Sequence, residues 1–169
     1  MSKVNILDFE ASALKFPSFP TQVAIIKEDG STFDRFIKPT RLWLSRYNWD
    51  PESEKIHGVP LNDLVKVGTE PSIVAAQLNE FIGGEDVFCD GGEYDVNWAN
   101  ELFLAANIER EFRIASISEL FDTETLTLPM WQLKQKAAEK LQLPEHDALN
   151  DVKIIQTAVK WKRNNYVPL

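Results

Sequence analysis

Lys3-Val4-Asn5-Ile6-Leu7-Asp8-Phe9-Glu10 reads as a buried strand that carries acid on its own apolar face. The side-chain period of two puts Val4, Ile6, Asp8 and Glu10 on one face and Asn5, Leu7 and Phe9 on the other. Two carboxylates therefore point the same way, about 7 Å apart along the strand. In a partly buried site such groups repel each other and are poorly solvated, so either their pKa values rise or a cation lies between them. A hard divalent ion suits the second case, since Mg2+ and Mn2+ prefer carboxylate and water oxygens. The plainer alternative is a strand end emerging into solvent, where both acids serve only solubility.

Outward from this strand, residues 21–27 and 32–38 read as two more, joined at the turn signal Asp29-Gly30. A connection containing Trp and Pro follows. Residues 71–82 predict a helix, with Val74, Leu78, Phe81 and Ile82 at helical spacing, Pro71 in its first turn and Gly83-Gly84 at its exit. Residues 86–89 form a short strand, 95–107 a helix with Ala99, Leu102, Phe103 and Ala106 on one stripe, and 112–117 a further strand. Residues 129–141 and 148–162 complete the chain as helices, the last with Ala148, Val152, Ile155 and Val159 on one face. A run of strands followed by strands alternating with helices predicts an α/β fold, a mixed sheet with helices on both faces. At 169 residues and 44% hydrophobic content, residues 1–169 suit one compact domain. No internal repeat, low-complexity tract or linker divides them.

The two later helices also carry acid where apolar side chains belong. Asp95 lies one turn before Ala99 and two before Leu102, on the stripe of its helix, although an N-terminal Asp is also a common cap. Asp151 lies three residues after Ala148 and four before Ile155, within the stripe that faces the sheet. Buried charges are normally paired or bound to metal, so three separated segments aiming acid toward the core point to a shared cation site. Asp90, at a strand end, and Asp147, a plausible N-cap for the last helix, compete for these roles and rank below Asp95 and Asp151. His146 stands five residues before Asp151, just outside the helix, where a loop can bring its imidazole over the acids. An ordinary pKa near 6.5 suits it to take a proton from water at neutral pH; the alternative is an exposed loop histidine.

Charge at first opposes a nucleic-acid partner, because the net value is −8 and phosphate binding favours basic surfaces. Its distribution weakens that objection. Residues 67–133 hold 13 acids and two bases, whereas residues 134–169 hold seven bases and four acids, and divalent cations would offset acidic charge locally. The lone Cys89 excludes an internal disulfide, the opening residues lack a signal-like apolar run, and no stretch nears the roughly 20 residues that cross a bilayer. The expectation is a cytoplasmic protein with no membrane partner.

Three segments together resemble the DEDDh exonuclease family, which includes ribonuclease T, oligoribonuclease and the proofreading subunits of bacterial replicative polymerases. Asp8-Phe9-Glu10-Ala11-Ser12-Ala13-Leu14 is similar to the first family motif, Asp-x-Glu followed by small residues and a Leu. Glu93-Tyr94-Asp95-Val96-Asn97-Trp98 is similar to the second, and His146-Asp147-Ala148-Leu149-Asn150-Asp151 to the third, His-x-Ala-Leu-x-Asp. Ile56-His57-Gly58-Val59 resembles a segment many members carry between the first two motifs. Two departures stand out: Ala11-Ser12-Ala13 replaces the frequent Thr-Thr-Gly, and Asp90-Gly91 replaces the frequent His-Asn.

The resemblance implies a ribonuclease H-like fold and a 3′-to-5′ exonuclease that releases nucleoside 5′-monophosphates from single-stranded DNA or RNA 3′ ends. It implies two divalent cations, Mg2+ or Mn2+, about 4 Å apart. Asp8 would bridge them, Glu10 and Asp151 would hold the ion that carries the nucleophilic water, Asp95 would reach the second directly or through water, and His146 would be the base. Ala11, Ser12, Leu14, His57 and Trp98 would lie at the substrate, Leu14 as a wedge against the terminal base, with packing the favoured role for Trp98. Trp43, Trp49, Phe16 and Phe19, expected in loops, are candidates for a base-stacking rim. A homodimer is compatible with the resemblance, though no segment marks an interface. The rival readings are an idle binding module of the same fold and a ribonuclease H-like endonuclease.

Overall fold

Strand β1 (Ile6–Ala11) occupies the centre of a five-stranded sheet because both of its faces are apolar enough to be covered. The computed structural model describes residues 2–121 and 128–166. On one side of β1 run β2 (Pro20–Ile26) and β3 (Thr32–Phe36), and on the other β4 (Val87–Cys89) and β5 (Ile114–Ser116), in the order β3-β2-β1-β4-β5. The pairs β1–β2 and β2–β3 are antiparallel, whereas β1–β4 and β4–β5 are parallel, so the sheet is mixed as expected. The Asp29-Gly30 signal makes the turn between β2 and β3: Gly30 takes φ 89°, and the Asp29 carboxylate accepts from the Ser31 backbone N–H at 2.9 Å. Left-handed φ is open to glycine at no steric cost.

The parity of β1 sorts the core into two layers. Leu7 and Phe9 join Val23 and Ile25 under α4 (Pro71–Ile82) and α5 (Glu93–Ala106). Val4 and Ile6 join Ala24, Ile26 and Phe88 under α7 (Ala148–Arg163), which presents Ala148, Val152, Ile155 and Val159. Helix α6 (Met130–Leu141) packs on the outer side of α7 through Leu133 and Ala137 against Ile154 and Ala158. Helices thus cover both faces, and the α7 layer is the one toward which Asp8 and Glu10 point.

Residues 41–67 differ from a plain connection: they hold α1 (Arg41–Arg46), α2 (Pro51–His57) and α3 (Leu61–Val67). Helices of six or seven residues are too short to display a period, and side-chain caps mark the starts of α1 and α2 instead. The Thr40 hydroxyl accepts from the Trp43 N–H, and the Asp50 carboxylate from the Glu52 N–H. The predicted strand at 112–117 is likewise shorter, because a 3-10 turn (Ile117–Leu120) begins as β5 ends.

The aromatic rim also needs correction. Trp43 lies in α1, and both it and Phe19 are 1% exposed, their rings stacked with centroids 5.4 Å apart. They are core, and Trp49 packs on Phe19 behind them. Among the described residues no helix is long and apolar enough to cross a membrane, and Cys89 is a buried free thiol.

Candidate active site

Asp8 and Glu10 leave β1 on the α7 side near the C-terminal end of the strand, and the first turn of α7 brings Asp151 to meet them. One carboxylate oxygen from each of Asp8, Glu10 and Asp151 lies within 4.8 Å of the other two. Asp151 is held there by its neighbours. Its own N–H donates to the Asp147 carbonyl oxygen, and its carboxylate accepts from the His146 backbone N–H at 3.0 Å. His146 reaches that position at φ 69°, a left-handed conformation uncommon for a side chain with a Cβ. Its imidazole is exposed at the cleft. Asp147 is the N-cap anticipated from the sequence, accepting from the Asn150 N–H at 3.0 Å.

Asp95 approaches from the opposite layer, in the first turn of α5. It is 1% exposed and accepts from the backbone N–H groups of Phe9 at 3.2 Å and Gly91 at 3.1 Å. Those bonds hold it at the C-terminal end of β1 and β4, beside the cluster of three rather than within it. Gly91 permits this approach, because a Cβ at that position would sit 2.5 Å from the Asp95 carboxylate oxygen Oδ2. Asp90 turns elsewhere and pairs with Lys134 of α6 at 2.5 Å.

The electrostatics are those of an under-neutralised acid cluster. Burial first, then the charges of Asp95, Asp151 and Glu10, pushes Asp8 well above the usual carboxylate range. Burial and the Asp151 charge raise Glu10 to about 8. Asp151 is raised to about 6 by burial, against the pull of the His146 N–H and of the His146 and Lys134 charges. Burial also raises Asp95 to about 7, although the Cys89 thiol and the two backbone N–H groups oppose it. Hard oxygen donors held close together and reluctant to ionise are the chemistry a divalent cation satisfies, so the residues present fit a hard divalent cation.

These acids floor a cleft of about 290 Å³ whose walls include Ala11, Leu14, Ile56, His57, Tyr94 and Trp98. Leu14 is 64% exposed at its mouth. Phe16 and Tyr94, also exposed, stack with centroids 5.5 Å apart, and Trp98 lies beneath them with its indole N–H donating to the Ser18 hydroxyl. Trp98 is therefore mainly a packing residue that contributes one wall. Ser12 does not join the cleft: it is fully buried, and its hydroxyl accepts from the Phe19 N–H at 3.0 Å. His57 is half-buried. Its Nδ1 accepts from the Val59 N–H, its Nε2 is a buried polar atom without a partner, and burial lowers its pKa. A roomier depression of about 630 Å³ around Phe103, Leu104 and Arg110 lies at the far end of α5, away from the carboxylates.

Sequence reasoning missed Tyr94 as a cleft wall, since it appeared only as the aromatic before Asp95. It also missed Lys134, whose charge acts on Asp151 and Asp8 from a helix distant in sequence. Gln22, buried opposite Glu10 on β2, gave no signal beyond being a polar residue in a strand.

No protein-family model matches the chain, and no curated protein does. Solved structures do match it in fold. Exonuclease I of Methylocaldum szegediense superposes with a TM-score of 0.71 at 16% identity, over 98% of this chain and 41% of that one. The zinc-bound E. coli exonuclease I complex with single-stranded DNA gives 0.70 at 14% identity, over 98% and 42%. E. coli exonuclease I with a dA16 oligonucleotide gives 0.67 at 15% identity, over 96% and 40%. The chain thus spans about 40% of the length of these structures. Sheet order, two helical layers and these superpositions together show that the chain has the ribonuclease H-like mixed α/β fold shared with these exonucleases.

Proposed function

We propose that the chain is a metal-dependent 3′-to-5′ exonuclease that removes nucleoside 5′-monophosphates from single-stranded DNA ends. The observation that carries this reading is the convergence of Asp8, Glu10 and Asp151, within 4.8 Å, on the floor of an apolar-walled cleft. Single-stranded DNA is favoured because exonuclease I neighbours hold such oligonucleotides. The exposed Leu14, Phe16 and Tyr94 offer surfaces on which unpaired bases can stack.

Asp8 would bridge two divalent ions, Glu10 and Asp151 would complete the first ion's carboxylate set, and Asp95 would reach the second directly or through water. When bound, such ions lower the pKa of coordinated water and stabilise charge on the leaving 3′ oxygen. The protein's own contributions are specific. The backbone bond from His146 fixes Asp151, while the exposed imidazole of His146 stands at the cleft to accept a proton from the attacking water. Leu14 and Tyr94 place the terminal nucleotide so that its phosphodiester lies over the carboxylates, and the apolar walls limit access of bulk water.

Incubating 5′-labelled single-stranded DNA with Mg2+, with Mn2+ and with EDTA tests the reading. A metal-dependent ladder shortening from the 3′ end is expected. Binding without shortening would point to an idle module, and unchanged cleavage of a 3′-phosphorylated strand to an endonuclease.

A further inference from the structure

Gln22 is a polar side chain buried against the start of α7, and only 2% of it is exposed. On β2 it sits directly opposite Glu10, on the same face of the sheet. Its amide Nε2 donates to the Asp34 carboxylate of β3 at 3.0 Å and lies 3.4 Å from the Asp147 carboxylate Oδ2. Its Oε1 accepts from the Ala148 backbone N–H at 3.4 Å. Ala148 is the first residue of α7, and its N–H is one of the helix-end donors that no residue of the helix can satisfy. Asp147 is committed in turn, its other oxygen capping Asn150 while its carbonyl accepts from the Asp151 N–H. One buried amide therefore ties together a neighbouring strand, the cap of α7 and the backbone of that helix's first turn.

That turn carries Asp151 and, through the 3.0 Å bond to its carboxylate, the placement of His146. Glu10 is fixed to the opposite side of Gln22 by strand register. We propose that Gln22 is a positioning residue of the metal site: it clamps the first turn of α7 to β2 at the level of Glu10 and so sets the separation of Glu10 from Asp151. This rests on the metal-site part of the proposed function. Gln22 does not line the cleft, so it acts on the ligand geometry and leaves nucleotide contacts alone. Outer partners of metal ligands typically change metal affinity or activity by about 10–100-fold when removed.

Three variants separate this role from mere burial. Gln22→Met keeps the volume and removes every polar contact. Gln22→Glu keeps the shape but sets a carboxylate against those of Asp34 and Asp147. Gln22→Glu combined with Asp34→Asn restores a donor and acceptor at the first of those contacts. Mn2+ affinity is measured by calorimetry without nucleic acid, alongside the melting temperature and, with DNA, kcat and KM. Gln22→Met should lose about 10–100-fold in both Mn2+ affinity and kcat, with KM within about twofold of wild type. Gln22→Glu should lose more, and the double variant should recover part of that additional loss. Wild-type Mn2+ affinity and kcat in folded Gln22→Met would overturn the proposal, whatever the melting temperature. So would a folded double variant as weak as Gln22→Glu. A wild-type protein that binds no Mn2+ refutes the metal site and this inference together. A wild-type protein that binds Mn2+ but cuts nothing refutes only the exonuclease reading, and the calorimetry still decides the role of Gln22.

Discussion

Glu10→Gln should make the metal-free protein more stable while depriving it of its function. Burial and the Asp151 charge raise the Glu10 pKa from its ordinary 4.5 to about 8. Between those values the folded state holds the proton more tightly than the unfolded chain, so this group's contribution to stability declines as pH rises from 4.5 toward 8. At pH 7 the penalty amounts to the 2.5 units between 4.5 and 7, or about 3 kcal/mol at 1.36 kcal/mol per unit. Water in the open cleft and relaxation of neighbouring acids reduce it to roughly 1–3 kcal/mol. Glutamine keeps the shape and has no charge to desolvate. For a chain of this size about 1 kcal/mol moves the midpoint by roughly 2–4 °C. In EDTA at pH 7 the variant should therefore melt about 2–12 °C above wild type, on the same scale. The gap should shrink to under about 1 kcal/mol at pH 5, because the folded group is then protonated and the unfolded group, at 4.5, is only partly ionised. Saturating Mg2+ or Mn2+ should reverse the order, because the wild type gains binding free energy and the variant has lost a ligand. Thermal melts by circular dichroism at pH 5, 6, 7 and 8, with and without metal, measure each quantity. A variant that melts below wild type in EDTA at pH 7, or a gap unchanged between pH 5 and 8, would refute the account of a strained acid cluster.

Other consequences follow from the same geometry. Asp8→Ala and Asp151→Ala should abolish nucleotide release while circular dichroism shows a folded domain; wild-type hydrolysis by either would remove that residue from the site. His146→Ala should slow turnover by roughly 10²–10⁴-fold while Mn2+ binding by calorimetry persists, and undiminished turnover at neutral pH would exclude it as the base. Gly91→Ala forces a Cβ against the Asp95 carboxylate, 2.5 Å away, and should lower kcat by about 10-fold or more through a displaced ligand; an unchanged kcat would separate Asp95 from the reaction. Mn2+ affinity should rise as pH increases through about 6 to 8, because Asp151 and Glu10, raised to about 6 and 8, must release protons to bind it. A flat profile over that range would contradict those shifts.

The long elements were legible because each displays its period. The parity of residues 4–10 placed Asp8 and Glu10 toward α7, and the stripe of α7 placed Asp151 toward them. The fixed offset to His146 survives in the fold as a backbone hydrogen bond, which spacing alone does not disclose. Short elements were not legible: α1 to α3 have too few residues for a pattern, so Trp43 was placed in a loop when it is core. Contacts that join distant segments were also hidden. The resemblance implied a place for Ser12 at the substrate, whereas the pairing register shifts between Glu10 and Ala11 and Ser12 is buried, its hydroxyl accepting from the Phe19 N–H. Asp95 was read as aimed at the core, and it is. What the sequence could not tell is that Phe9 and Gly91 hold its carboxylate beside the other three acids.

The central claim is that Asp8, Glu10 and Asp151 form a metal site that cuts from the 3′ end. A 5′-labelled single-stranded DNA with a free 3′ hydroxyl, and the same strand ending in a 3′ phosphate, can be incubated with purified protein in Mg2+ and in EDTA. The account predicts stepwise shortening and release of 5′-mononucleotides from the first strand in Mg2+, stalling on the second, and no reaction in EDTA. Equal cleavage of both strands, or shortening that persists in EDTA, would contradict it.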